Sequence, residues 1–139
     1  VRQKGGIPIL ITPMHRRTFD VNGKIRNSHG DYPDAVRQIA KDEKVTLIDL
    51  TDMSKDLYEA LGKDGSGALF KEGDATHHNA YGAYQLAKAI VQSIRNQHLP
   101  LAQFLITSLA KYDPKRPDQL GLFAIPPSPA VTNMKPLGN

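Results

Sequence analysis

Two short, nearly unbroken apolar runs organise the chain. Ile7 to Thr12, set between Gly5-Gly6 and Pro13, and Val45 to Leu50 each predict a β-strand buried on both faces, as in a parallel sheet. A polar stretch from Pro13 to Gly30 follows the first strand, and Asp31 then caps a helix through about Glu43 with Val36, Ile39 and Ala40 inward. Thr51 is the expected cap of a further helix carrying Met53, Leu57, Ala60 and Leu61, stopped by Gly62. A polar loop runs from Lys63 to His78. Asn79 then caps a long helix to about Gln97, with Ala83, Leu86, Ala87, Ile90, Val91 and Ile94 on its apolar face. After Pro100 a short helix with Leu101, Phe104, Leu105 and Leu109 is expected to pack back on the sheet.

Strands alternating with helices indicate an α/β layer fold, because parallel strands need crossover connections. Val1 to Gly6 reads as the last turn of a glycine-stopped helix, which must then begin ahead of Val1. Six of the ten prolines fall within residues 114–139, so the chain is expected to divide into a domain portion, 1–110, and an irregular proline-rich tail, 111–139. That tail is either a strap over the domain or a linker.

Composition narrows the class. Of 139 residues, 40% are hydrophobic and 23% charged, ordinary values for a globular protein, and no apolar run approaches the ~20 residues of a membrane-spanning helix. The absence of cysteine excludes disulfides and thiolate metal sites. A net charge of +4 and a pI near 9.4 direct attention to anionic partners. The basic residues are scattered, however, and the densest cluster is His15-Arg16-Arg17, which suits an acidic polysaccharide better than nucleic acid.

The candidate chemistry lies in Asp74-Ala75-Thr76-His77, directly ahead of the long helix. An Asp-x-x-His spacing lets one turn fold the carboxylate onto one ring nitrogen and leaves the other to face a nucleophile, two-thirds of a Ser-His-acid triad. The same spacing is also that of a loop held by Asx-type hydrogen bonds. None of the six serines (Ser28, Ser54, Ser66, Ser93, Ser108 and Ser128) sits in a Gly-Asp-Ser or Gly-x-Ser-x-Gly setting, and Ser66, between two glycines, reads as a turn residue. His78 is a candidate contact to substrate or to the neighbouring histidine. His15, His29 and Asp74 lack the four-residue helical spacing of a zinc pair, so no metal is expected.

Asp74 to His77 followed by Asn79-Ala80-Tyr81-Gly82-Ala83 resembles the last conserved block of the SGNH (GDSL-type) hydrolases. Leu10-Ile11-Thr12-Pro13, Arg16 to Asp20, Asn22-Gly23-Lys24, His29-Gly30-Asp31-Tyr32-Pro33 and Leu47 to Thr51 are similar to the rhamnogalacturonan acetylesterase branch, in order over residues 7–97. The resemblance implies a flavodoxin-like three-layer α/β/α sandwich with a parallel sheet, incomplete at its N-terminus. It makes His77 the general base and Asp74 its orienting acid, with serine nucleophile and oxyanion-hole donors upstream of Val1, so the chain alone is expected to be inactive. It implies a serine esterase that deacetylates a pectic polysaccharide, needs no cofactor and is secreted or periplasmic. Arg16 and Arg17 then become candidate ligands for galacturonate carboxylates, and the earlier portion of the domain a partner if it is a separate chain. A small-ester hydrolase of other specificity, or a non-catalytic carbohydrate-binding module, are the alternatives.

Overall fold

The structure is a computed structural model that describes residues 1–108 and 111–124. Strand β1 (Ile9–Ile11) pairs in parallel with β2 (Thr46–Ile48), Ile9 opposite Thr46 and Ile11 opposite Ile48. Helix α1 (Tyr32–Asp42) connects them, α2 (Leu50–Gly65) follows β2, and α3 (Ala80–Asn96) follows the Asp-His loop. The chain is thus α/β with a parallel sheet, as its alternation predicts, and both strands are shorter than their apolar runs. The expected opening helix is a single 3-10 turn, Arg2–Lys4, closed by Gly5 at φ 73°. Among the described residues no helix is long and apolar enough to cross a membrane.

The end of β1 is stapled to the start of α2. The Thr12 hydroxyl donates to Asp49 Oδ1 at 2.9 Å and accepts the Thr51 amide at 2.8 Å, while Ser54 Oγ accepts the His15 amide at 2.9 Å. Asp49, rather than Thr51, caps α2 by accepting the Asp52 amide; the Thr51 hydroxyl is taken by the Pro13 carbonyl. Gly62 interrupts the helix with φ 71°, but a further turn carries it to Gly65. Residues 13–30 are more ordered than their polarity suggests. Phe19 and Ile25 form an antiparallel bridge, the Asp20 carboxylate accepts the amides of Asn22 and Lys24 at 2.8 Å each, and Ile25 enters the core.

That core joins Leu57 and Tyr58 of α2, Leu69 and Phe70, and Tyr81, Leu86 and Ala89 of α3. Each such large apolar side chain contributes roughly 1.5–3 kcal/mol by leaving water. Several apolar positions assigned inward lie outward instead. Ile7 and Ile39 are 69% and 53% exposed, since two strands offer little surface to cover them, and Ala83 and Ala87 are exposed. The segment after Pro100 is a 3-10 turn, Pro100–Phe104, whose Leu101 and Phe104 face solvent; Leu109 lies outside the described residues.

On α3 the inward face includes Gln85 and Lys88, which the apolar pattern does not reveal. Asp118 accounts for both: its Oδ2 accepts from Lys88 Nζ at 2.6 Å and from Gln85 Nε2 at 3.0 Å, and its carbonyl accepts from the Tyr81 hydroxyl. Phe123 packs on Tyr81 and Tyr84. Residues 111–124 therefore lie along α3. Lys88, and then Gln85, hold the Asp118 carboxyl below its ordinary pKa, so this pairing stabilises the fold above the unfolded carboxylate range and the gain is lost as pH falls through the folded value. Asp118→Ala is expected to cost about 2 kcal/mol at pH 7, less than a fully buried pair because Asp118 is partly solvated. Urea unfolding at pH 7 checks this, and the gap between the two proteins should narrow at pH 3.

Candidate active site

The Asp74–His77 loop is built from three anchors. Phe70 and His78 form an antiparallel bridge, with the Lys71 amide donating to the His77 carbonyl at 3.0 Å. The Asp74 amide closes a turn onto the Lys71 carbonyl at 3.0 Å, and Gly73 inside that turn takes φ 71° without penalty. From the loop after β1, the Arg17 amide donates to the Ala75 carbonyl at 2.7 Å. Strand end and candidate site are thereby joined directly.

Within this loop Asp74 divides its two oxygens. Oδ1 accepts the amides of Thr76 and His77 at 2.6 and 3.0 Å, and Oδ2 lies 2.7 Å from His77 Nδ1. The Asx-turn bonds and the ring contact that the sequence offers as alternatives are both made. The two amides, then the imidazole, hold the Asp74 carboxyl far below its ordinary pKa, so it is an anion throughout the neutral range. An anion at Nδ1 favours a proton on that nitrogen and leaves the Nε2 lone pair free. The His77 side chain is 70% exposed, and Nε2 has no hydrogen-bond partner among the described residues.

His78 points the other way. Its Nε2 lies 2.6 Å from the Tyr58 hydroxyl, and its ring packs on Phe70 with centroids 4.2 Å apart. Burial lowers the His78 pKa and raises that of Tyr58, so a neutral imidazole accepts from an un-ionised phenol. Geometry makes His78 an internal anchor for the loop, which the proximity of two histidines in sequence does not disclose. Tyr58→Phe is expected to cost about 1–2 kcal/mol by stranding a buried ring nitrogen. Thermal unfolding should register a drop of several degrees.

Arg17 is likewise engaged within the protein. Its Nη1 donates to the Lys63 carbonyl at 2.8 Å and its guanidinium lies over Phe70 at 6.0 Å. Arg16 is exposed, with one donated bond to the Ser28 carbonyl at 3.3 Å. Ser54 and Ser66 are fully buried and donate to the carbonyls of Thr51 and Lys63, Ser93 Oγ accepts from Gln97 Nε2, Ser28 Oγ is buried without a partner among the described residues, and Ser128 lies outside them. No serine hydroxyl among the described residues is bonded to His77. Nor do three His, Asp or Glu side chains there gather closely enough to hold a metal ion.

Asn79 caps α3, accepting the Gly82 amide at 2.9 Å while its Nδ2 donates to the carbonyls of Ala68 and Phe70. Gly82 in turn packs so tightly that a Cβ there would lie 2.0 Å from the Leu69 carbonyl oxygen. The helix and the loop ahead of it are thus one packed unit.

A parallel α/β sheet with an acid and a histidine joined in the loop before the following helix is consistent with part of an SGNH-type hydrolase, and over most of its length the chain is similar to proteins named as rhamnogalacturonan acetylesterases and esterases. It is 37% identical over 123 residues to the rhamnogalacturonan acetylesterase RhgT of Bacillus subtilis, covering 79% of this chain and 53% of that protein. It is also 37% identical to the probable rhamnogalacturonan acetylesterase YesY of the same organism, over 76% of this chain and 50% of YesY. The crystal structure of YxiM from Bacillus subtilis superposes with a TM-score of 0.67 at 32% identity, over 71% of this chain and 28% of that one. The chain spans about half the length of the two acetylesterase relatives. No family model matches it.

Proposed function

We propose that the chain forms the proton-handling part of a serine esterase that removes O-acetyl groups from an acetylated pectic polysaccharide. The observation that carries this reading is the 2.7 Å contact between Asp74 Oδ2 and His77 Nδ1, which leaves Nε2 open to solvent. The relatives' names supply the ester class and the acetylated substrate.

In this scheme a serine hydroxyl from polypeptide outside the chain attacks the acetyl carbonyl as His77 Nε2 takes its proton. The tetrahedral intermediate collapses when His77 returns that proton to the departing sugar oxygen, leaving an acetyl-serine. Water, deprotonated by the same nitrogen, then releases acetate and restores the serine. Asp74 stabilises the imidazolium at each stage. Donors for the oxyanion also come from outside the chain, so the chain alone is expected to release no acetate. In this reading Arg16, an exposed cation in the loop after β1, takes a galacturonate carboxylate, and Arg17 contributes through its backbone amide, which holds the Ala75 carbonyl.

The test is acetate release from acetylated rhamnogalacturonan by the full-length enzyme that contains this chain. Faster turnover of the polysaccharide than of an aryl acetate supports the pectic reading. Preference for the simple ester instead assigns a general esterase, in keeping with the name of the 34%-identical relative, the uncharacterized esterase YxiM.

A further inference from the structure

The segment after β1, which the Arg17 amide ties to the Asp-His loop, also meets the beginnings of α1 and α2 and lines with them an open polar depression of about 180 Å³. His15, Asn27, Asp52 and Lys55 contribute its polar wall, and Ile25 and Pro33 an apolar one. His15 is only 5% exposed, yet its Nδ1 has no hydrogen-bond partner among the described residues. A buried imidazole nitrogen left without a partner is costly, and a ligand hydroxyl would remove the cost.

The charges in the wall say what kind of ligand. Arg37 is fully engaged: it donates to Asp49 through Nε at 2.7 Å and Nη2 at 3.0 Å, to Asp34 at 2.7 Å and to Asp52 at 3.2 Å. Asp34 and Asp52 each use only one oxygen in these bonds, and Lys55 makes no salt bridge among the described residues. Arg37 and Lys55 thus meet three carboxylates, Asp34, Asp49 and Asp52, so the depression offers both donors and acceptors and no excess positive charge for an anion. A sugar ring matches this, because each hydroxyl both donates and accepts while its C–H face suits Ile25 and Pro33. Next along the chain, Tyr32 is 77% exposed at the start of α1 and, with His29, borders a second depression. An exposed tyrosine ring beside a polar cavity is a ready stacking platform.

We infer that this cavity is a subsite for one uncharged sugar residue of the substrate chain, bonded by His15, Asp52 and Lys55, with Tyr32 stacking on the adjoining ring. The inference rests on the polysaccharide reading above and extends it. It assigns the neutral residues of the polymer to this cavity and leaves the acidic ones to Arg16.

Proton NMR titration of the full-length enzyme that contains this chain with a non-acetylated rhamnogalacturonan oligosaccharide, and in parallel with trigalacturonate, tests it. The expected result is a shift of the His15, Tyr32 and Lys55 resonances by the first probe and binding at least about tenfold weaker for the second. Tyr32→Ala and Lys55→Ala, both at exposed positions, should each weaken the first interaction by about 5- to 20-fold. Undisturbed His15 and Tyr32 resonances, equal binding of trigalacturonate, or unchanged affinity in both variants would overturn the assignment. Failure of the esterase reading shows separately, as absence of serine labelling by a fluorophosphonate in the full-length enzyme.

Discussion

His77→Ala in the full-length enzyme is expected to lower kcat by about 10⁴- to 10⁶-fold while leaving KM and the circular dichroism spectrum close to those of the parent. The size follows from the proposed role, since a serine hydroxyl is a poor nucleophile until a base takes its proton. His78 cannot substitute, because its ring is committed to Tyr58 and Phe70. The fold should be indifferent, because the His77 side chain is 70% exposed and outside the core. Asp74→Asn should cost less, about 10²- to 10⁴-fold. Its amide oxygen can still accept the backbone N–H groups of Thr76 and His77, but an NH₂ opposite Nδ1 donates where an acceptor is needed and moves the imidazole proton to Nε2. With Asp74 held anionic far below neutrality, its own protonation should contribute nothing to any loss of activity on mild acidification. Steady-state rates of both variants across pH 4–9 check these expectations.

Gly82→Ala is the second substitution with a large expected effect, and it acts through packing. The added Cβ would fall 2.0 Å from the Leu69 carbonyl oxygen, 2.9 Å from its carbon and 3.0 Å from His78 Cδ2. None of these is the free end of a flexible side chain. The Leu69 carbonyl also accepts the Asn79 amide at 3.1 Å, so relief of the clash must lift the first turn of α3 off the segment that carries the Asp-His loop. A loss of about 3 kcal/mol or more is expected, at the upper end for overpacking, with a melting temperature lower by about 10 °C. Gly65→Ala is the control. Its Cβ would meet only Leu61 Cβ at 3.6 Å in helical backbone, so its midpoint in urea should equal or exceed that of the parent.

These two positions show what can be read from residue types and what cannot. The Asp-x-x-His spacing, the Asn79 cap and both strands were legible because each depends on neighbours within a few residues, and the helix period and capping chemistry act on that scale. Gly82 offers no such signal, since its necessity arises from the backbone of Leu69, thirteen positions away. The same holds for Lys88 and Gln85, charged and polar residues that the 3.6 period assigns outward until Asp118 arrives to pair them. Ile39 errs in the opposite sense: its period is helical and inward, but the pattern cannot say whether anything lies over that face. His78 and Arg17 look from sequence like possible substrate contacts, because a polar residue near a candidate site is silent about its rotamer. Tyr58 and the Lys63 carbonyl decide where each points.

In the proposed mechanism His77 activates a serine supplied from outside these residues. Mass spectrometry of the full-length enzyme after reaction with a fluorophosphonate tests it most directly. The expected result is one adduct on a serine upstream of Val1, formed in the parent and lost in His77→Ala. An adduct on a serine within residues 1–139, or labelling that proceeds undiminished without the imidazole, would contradict the account.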